Sequence, residues 1–389
     1  MEEVRKIFDK MLEQNKSCRE AMLSLIGSRE AIAFVGAGLS AHPSLKYPSW
    51  KELLEKLRVA ANAIEPFNYS TDANESPLLM AEEVKSHFAS RDKMDEFKNI
   101  LSREYCPRPH LNCTSTHDRF VRLPFRAFVT TNYDACLEHA LNELHVLRGE
   151  KTRYDIATNI KSNGDARQMV SRFLRSMSDA LDMSRRYVAH LHGWYDDPDS
   201  IILTASQYYE AYGFETRDGR RTRQKPRLTL HRHLAWALLA TRKLVFFGCS
   251  MDDPYIIEML KIVATDLWEA GQPIHFVVLP LDQQCLASAD SQVSEFRRYG
   301  LEVVFYDNWD GTFIKLDQLL ELASSQFSPV GTTQSKSSFD AQAVKTQPPT
   351  EFVIGEPMAD RALQTPAVSL DWLEEVNEQT SKDLKKNED

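Results

Sequence analysis

The 389-residue sequence predicts an α/β fold, a doubly wound and mainly parallel sheet with a helical subdomain formed by insertions. Three observations predict it. Short runs at Ala31–Val35, Ala127–Thr130, Tyr187–Leu191, Leu244–Phe247, Ile274–Leu279 and Val303–Tyr306 are largely apolar rather than alternating, the pattern of parallel strands covered on both faces. Helical periodicity fills the intervals between them. Four of the runs are followed directly by glycine, serine, threonine, asparagine or histidine, at the strand ends where such a fold binds its ligand.

Composition sets the outer limits. Hydrophobic residues make up 42% and charged residues 26%, ordinary for a globular protein, and the net charge of −9 argues against a surface built throughout for nucleic acid. The opening "MEEVRKIFDKMLEQNKSCRE" has no apolar signal-peptide core, and the apolar run "HLAWALLATRKLVFF" is broken by Arg242 and Lys243 before it reaches membrane-spanning length. The six cysteines are scattered without a Cys-x-x-Cys pair, which suits a reducing cytoplasm and gives no zinc ribbon.

Taken in chain order, residues 1–26 read as one amphipathic helix with Val4, Ile7, Phe8, Met11 and Leu12 on its apolar side, packed either on its own domain or on a partner. The core domain is expected over 27–328. The run Ala31–Val35 ends in "GAGLS", residues 36–40, and "SWKELLEKLRVAA" from Ser49 has helical spacing, with Trp50, Leu53, Leu54 and Leu57 on one face. A glycine turn at a strand's carboxyl end lets the backbone approach a diphosphate, and also simply relieves backbone strain. The segments near 53–115 and 135–185 exceed simple crossovers and read as helical insertions.

After the second strand, "TTNYD" leaves Thr131, Asn132 and Tyr133 at the strand end, with Asp134 reading equally as a ligand contact or a helix cap. "HLHG" places His190 and His192 two residues apart, before Gly193. Ile201–Leu203 reads as a further strand, and "RDGRRTRQKPRLTLHRH" (217–233) as a solvated basic loop or a surface for an acidic partner or nucleic acid. "GCS" follows Leu244–Phe247, with Asp253 capping a helix that has Pro254 in its first turn. From about Pro329 the sequence turns Ser-, Thr-, Gln- and Pro-rich, so 329–389 reads as a linker and an acidic tail with one short amphipathic helix around Trp372.

In this order "GAGLS", "TTNYD", "LHG" and "GCS" resemble the motif set of the sirtuin superfamily, over roughly residues 30 to 310. The two Cys-x-x-Cys pairs of the family's zinc-binding deacylases have no counterpart, so no zinc is expected, and "AHPSLKYPSWKELL" replaces their first-loop sequence. The "PSW" loop running into a Leu-Leu helix is similar to the sirtuin-like effectors of bacterial antiphage defence. The resemblance therefore implies a Rossmann-like sheet and hydrolysis of NAD to nicotinamide and ADP-ribose, depleting the cofactor in infected cells.

It also implies a division of labour: Asn132 and His192 catalytic, with Gly36, Ala37, Gly38, Ser40, Thr131, Tyr133, Asp134, Gly248 and Ser250 binding NAD. An asparagine amide both donates and accepts, which suits positioning of ribose or water, and a histidine can serve as base. Other readings are a deacylase or ADP-ribosyltransferase, or a sensor that binds NAD or ADP-ribose without turnover. The resemblance further implies a homo-oligomer paired with a separate ATPase or sensor subunit, in some relatives a HerA-type ATPase.

Overall fold

The computed structural model describes residues 2–41, 44–70, 76–108, 112–147, 187–214, 216–217, 220–221, 229–267, 274–309, 316, 318–321 and 323. The expectations for residues 148–185, for most of the basic stretch 217–233 and for the tail 329–389 fall outside the described residues.

The chain opens with helices α1 (Glu2–Gln14) and α2 (Lys16–Gly27), then strand β1 (Ile32–Val35) and a single 3-10 turn, Ala37–Leu39. Helices α3 (Trp50–Ile64), α4 (Pro77–Ala89), α5 (Met94–Tyr105) and α6 (Ser115–Arg122) precede β2 (Ala127–Thr130), α7 (Cys136–Leu147) and β3 (Tyr187–His190). The second half runs α8 (Ala205–Tyr212), α9 (Leu230–Thr241), β4 (Leu244–Phe247), α10 (Pro254–Leu267), β5 (His275–Leu281), α11 (Ala289–Arg298) and β6 (Leu301–Asp307), with an antiparallel pair of two-residue strands, Thr216–Arg217 and Arg220–Arg221, before α9.

The six main strands form one sheet in the order β3-β2-β1-β4-β5-β6, and every pairing is parallel. This is the order of dinucleotide-binding doubly wound sheets, with the chain reversing direction between β1 and β4. Strands β1, β2 and β4 are buried at every position. Their alternate residues feed two cores: Ile32, Phe34, Val129 and Phe246 face helices α8 to α10, whereas Ala33, Val35, Phe128 and Phe247 face α2, α6 and α7. Unbroken apolar strands follow directly from burial on both faces. A third core joins Leu53, Leu54 and Leu57 of α3 to Val84 and Phe88 of α4 and Phe97 of α5, the helical insertion expected there.

Two expectations are corrected. Residues 1–26 form two helices rather than one, because Asn15 turns its side chain onto the sheet edge. Its Nδ2 donates to the Val303 carbonyl at 2.7 Å and its Oδ1 accepts from the Phe305 amide at 2.8 Å, so one side chain stands in for a neighbouring strand beside β6. Part of the apolar side of α1 packs on its own domain, with Phe8 fully buried and its ring 4.9 Å from that of Trp309, whereas Val4 and Ile7 on the same side are exposed. Ile201–Leu203 is an irregular buried segment, not a strand: the Ile202 amide donates to the His192 carbonyl at 2.9 Å, and the Ile202 carbonyl accepts from Tyr133 Oη at 2.8 Å. Among the described residues, no helix is long and apolar enough to cross a membrane.

Candidate functional site at the sheet crossover

The loops after β1 and β4 are joined backbone to backbone. The Gly36 amide donates to the Phe247 carbonyl at 2.8 Å, and the Gly38 amide to the Gly248 carbonyl at 2.7 Å. Gly248 has φ +64°, and a Cβ there would lie 2.4 Å from the Leu39 nitrogen. A Cβ on Gly36 or Gly38 would lie 2.6 and 2.7 Å from the Gly248 oxygen. The glycines let two loops close against each other at the crevice where the strand order reverses.

Asn132 lies over this junction, 8% exposed. Its amide nitrogen accepts nothing and donates to the Gly36 carbonyl at 3.1 Å and to Ser40 Oγ at 3.3 Å. Its backbone is fixed from below, since Thr130 Oγ1 donates to the Val35 carbonyl at 2.8 Å and accepts from the Asn132 amide at 3.0 Å. Among the described residues, Asn132 Oδ1 is buried with no hydrogen-bond partner. A buried, unfilled carbonyl acceptor costs about 1–3 kcal/mol and is the expected mark of a group awaiting a ligand or water.

His190 supports Asn132 from the other side. Its Nδ1 is 2.9 Å from the Asn132 carbonyl and its Nε2 is 2.6 Å from Glu138 Oε1 on α7, with both side chains buried. Burial alone pulls this histidine's pKa down. The Glu138 charge and hydrogen bond, with the Asn132 carbonyl, outweigh that and leave it raised above 6.5. Both ring nitrogens face acceptors, so the imidazolium is the form that satisfies them.

His192, two residues on, points into different surroundings and is 2% exposed. Its Nε2 lies 2.8 Å from Tyr212 Oη and its Nδ1 lies 3.3 Å from Tyr208 Oη. Tyr208 in turn donates to Asp253 Oδ2 at 3.1 Å, and Asp253 Oδ1 caps α10 through the amides of Tyr255 and Ile256. Burial lowers the His192 pKa to about 3. The ring is therefore neutral at physiological pH, with its proton on Nδ1 toward Tyr208 and its lone pair on Nε2 toward Tyr212.

The structure thus brings Gly36, Gly38, Ser40, Asn132 and Gly248 into one hydrogen-bonded cluster, and sets the His192 ring apart from it, against Tyr208 and Tyr212. Asp134 is buried and accepts from the Cys136 amide at 3.0 Å, so it caps α7. Tyr133 is half-buried and anchors the 201–203 segment, and Thr131 donates its amide to Val35. Ala37 and Ser250 are exposed. Sequence reasoning did not assign Glu138, His117, Tyr208 or Tyr212. The two tyrosines had a legible signal, being four apart on α8 and so on one helix face. His117 and Glu138 had none, since only the fold brings them to the strand ends. Among the described residues, no group of three or more His, Cys, Asp or Glu side chains is placed to hold a metal ion.

Residues 126–304 match the family model described as a SIR2-like domain. The match takes in Asn132, His192 and Gly248, and the fold adds the Gly36–Ser40 loop to it through the β1–β4 junction. The chain is similar to the NAD(+) hydrolase ThsA of Acinetobacter baumannii (strain 532279), 24% identical over 311 residues that cover 76% of this chain and 53% of that protein. It therefore spans about half the length of the curated relative it matches.

Proposed function

We propose that this chain, which carries a SIR2-like domain, hydrolyses the nicotinamide–ribose bond of NAD to give nicotinamide and ADP-ribose. The observation that carries the reading is the unfilled, buried Asn132 Oδ1 held over a three-glycine junction at the crossover of a dinucleotide-type sheet. Similarity to a protein named as an NAD(+) hydrolase supports the same chemistry.

In this reading the diphosphate lies against the Gly36–Gly38 and Gly248 backbone, with Ala37 and Ser250 at the rim and Ser40 donating from within. Thr131, Tyr133 and Asp134 shape the floor, Asp134 chiefly by capping α7. Nicotinamide departs carrying the electron pair of the glycosidic bond and becomes neutral, which leaves an oxocarbenium-like ribose. Asn132 Oδ1 accepts from a ribose hydroxyl or the attacking water and fixes its approach. Water adds to the anomeric carbon and loses one proton. His192, neutral beforehand, is the base of this reading and takes that proton.

Finer points rest on the sirtuin-like resemblance: action in the cytoplasm as an antiphage effector, and work as a homo-oligomer with a separate ATPase or sensor subunit. The deciding experiment is incubation of the purified full chain with NAD, followed by chromatography for nicotinamide and ADP-ribose. The reading expects stoichiometric appearance of both, lost in His192→Ala and Asn132→Ala. NAD that binds and stays intact, in the presence of every candidate partner, would instead make the chain a sensor.

A further inference from the structure

We propose that His117 is a positioning residue of this site: it holds the Ser40 hydroxyl as a donor and, through it, Asn132 as an acceptor. His117 is fully buried on α6, and its Nδ1 faces two groups of Thr114, the backbone amide at 3.4 Å and Oγ1 at 2.8 Å. A peptide N–H can only donate, so Nδ1 carries a lone pair. The ring is then neutral, and its one N–H is on Nε2, which lies 3.3 Å from Ser40 Oγ.

Asn132 closes the chain of inference. The Gly36 carbonyl can only accept, so the Asn132 atom 3.1 Å from it is the NH2 nitrogen, and this fixes the amide's orientation. The same nitrogen lies 3.3 Å from Ser40 Oγ. Ser40 Oγ thus receives one N–H from Asn132 and one from His117, which fills both of its lone pairs. Its own hydrogen is left for a third group, while Asn132 Oδ1 is left as an unfilled acceptor. A donor and an acceptor side by side match a ligand with an oxygen acceptor next to a hydroxyl or a held water, the pairing a phosphorylated ribose presents. This deepens the NAD reading and rests on it for the ligand's identity. The His117–Ser40–Asn132 polarity rests on hydrogen bonds alone.

Three readouts on the full chain test this. Nitrogen-15 NMR of histidine-labelled wild-type protein is expected to show His117 as the Nε2–H tautomer, and an Nδ1–H or doubly protonated ring overturns the proposal. His117→Phe, which fills the space without a donor, is expected to lower kcat for NAD cleavage by about 10- to 100-fold with KM changed by less than about 3-fold. His117→Gln, whose amide can donate from nearly the Nε2 position, is expected to recover most of that loss. Wild-type kcat in a folded His117→Phe protein, or equal loss in both variants, reduces His117 to a packing residue. Should wild-type protein cleave no NAD, the hydrolase reading fails while the tautomer spectrum still decides the polarity of the cluster, as it does if His117→Phe does not fold.

Discussion

The Glu138–His190 pair carries the most quantitative expectation. Replacing Glu138 by alanine leaves a buried imidazole facing a void, and removing one partner of a buried ion pair typically costs about 3–5 kcal/mol. For a domain of this size that corresponds to a fall in Tm on the order of 10 °C. Glu138→Gln separates charge from shape. Its amide can donate to Nε2, and His190 then becomes neutral with Nδ1–H still on the Asn132 carbonyl.

The two proteins differ in their dependence on pH. His190 has a folded pKa raised above its ordinary 6.5, so its contribution is fully present below that value and is lost as pH rises through the raised folded pKa. The wild-type advantage over Glu138→Gln should therefore be largest below pH 6.5 and shrink as the pH rises through the raised folded value. Thermal melts of both proteins across that range measure it. A gap independent of pH, or a Glu138→Ala protein that melts within about 2 °C of wild type, would refute the assignment of His190 as an imidazolium.

Other expectations follow from the same geometry. Gly248→Ala forces a Cβ to 2.4 Å from the Leu39 nitrogen at a φ of +64°, so NAD affinity measured by calorimetry should fall at least tenfold, with lowered Tm; an unaltered protein would mean the loop junction yields. His192→Ala should lower kcat by about a hundred- to ten-thousand-fold while NAD still binds, and wild-type turnover would remove it as the base. His192 and His275 have pKa values lowered by burial to about 3 and about 4. The unfolded chain therefore binds more protons than the folded one below about pH 6.5, and stability should decline as pH falls toward 4, a decline that denaturant titrations would detect. Removing residues 331–389 should leave the domain folded and change oligomer size or partner binding by light scattering; unchanged mass and binding would make the tail a passive extension.

The centre of the sheet was legible because β1, β2 and β4 are buried on both faces, and burial leaves a mark that needs no knowledge of neighbours: Leu-Val-Phe-Phe at 244–247 cannot alternate when both cores need apolar side chains. Glycines 36, 38 and 248 were legible as a turn signal, but their reason was not. Two loops 210 residues apart in sequence press together, and that contact exists only in the fold. Ile201–Leu203 misled for the complementary reason. It is as apolar as a strand because three side chains plug two cores, yet its backbone bonds go to the His192 carbonyl and the Tyr133 side chain rather than to a ladder. The break at Asn15 was hidden because a polar residue on a helix surface carries no sign that its side chain reads the edge of β6.

The two histidines of "HLHG" show how far local pattern reaches and where it stops. Alternation along a strand puts residues two apart on one face, which gives no reason to separate His190 from His192. Their surroundings separate them completely. His190 meets a carboxylate and a carbonyl and is held as a cation, whereas His192, at the strand's exit, meets two phenols and is held neutral. Only the neutral ring keeps a lone pair, and on His192 Nε2 that lone pair faces Tyr212 Oη. The pKa values of these two histidines are pushed in opposite directions, upward by the Glu138 carboxylate on α7 in one case and downward by burial among the tyrosines of α8 in the other. Exchanging those environments, for example with Glu138→Leu, should convert His190 to a neutral ring without moving turnover to it, since its Nδ1–H remains on the Asn132 carbonyl and its Nε2 faces the core.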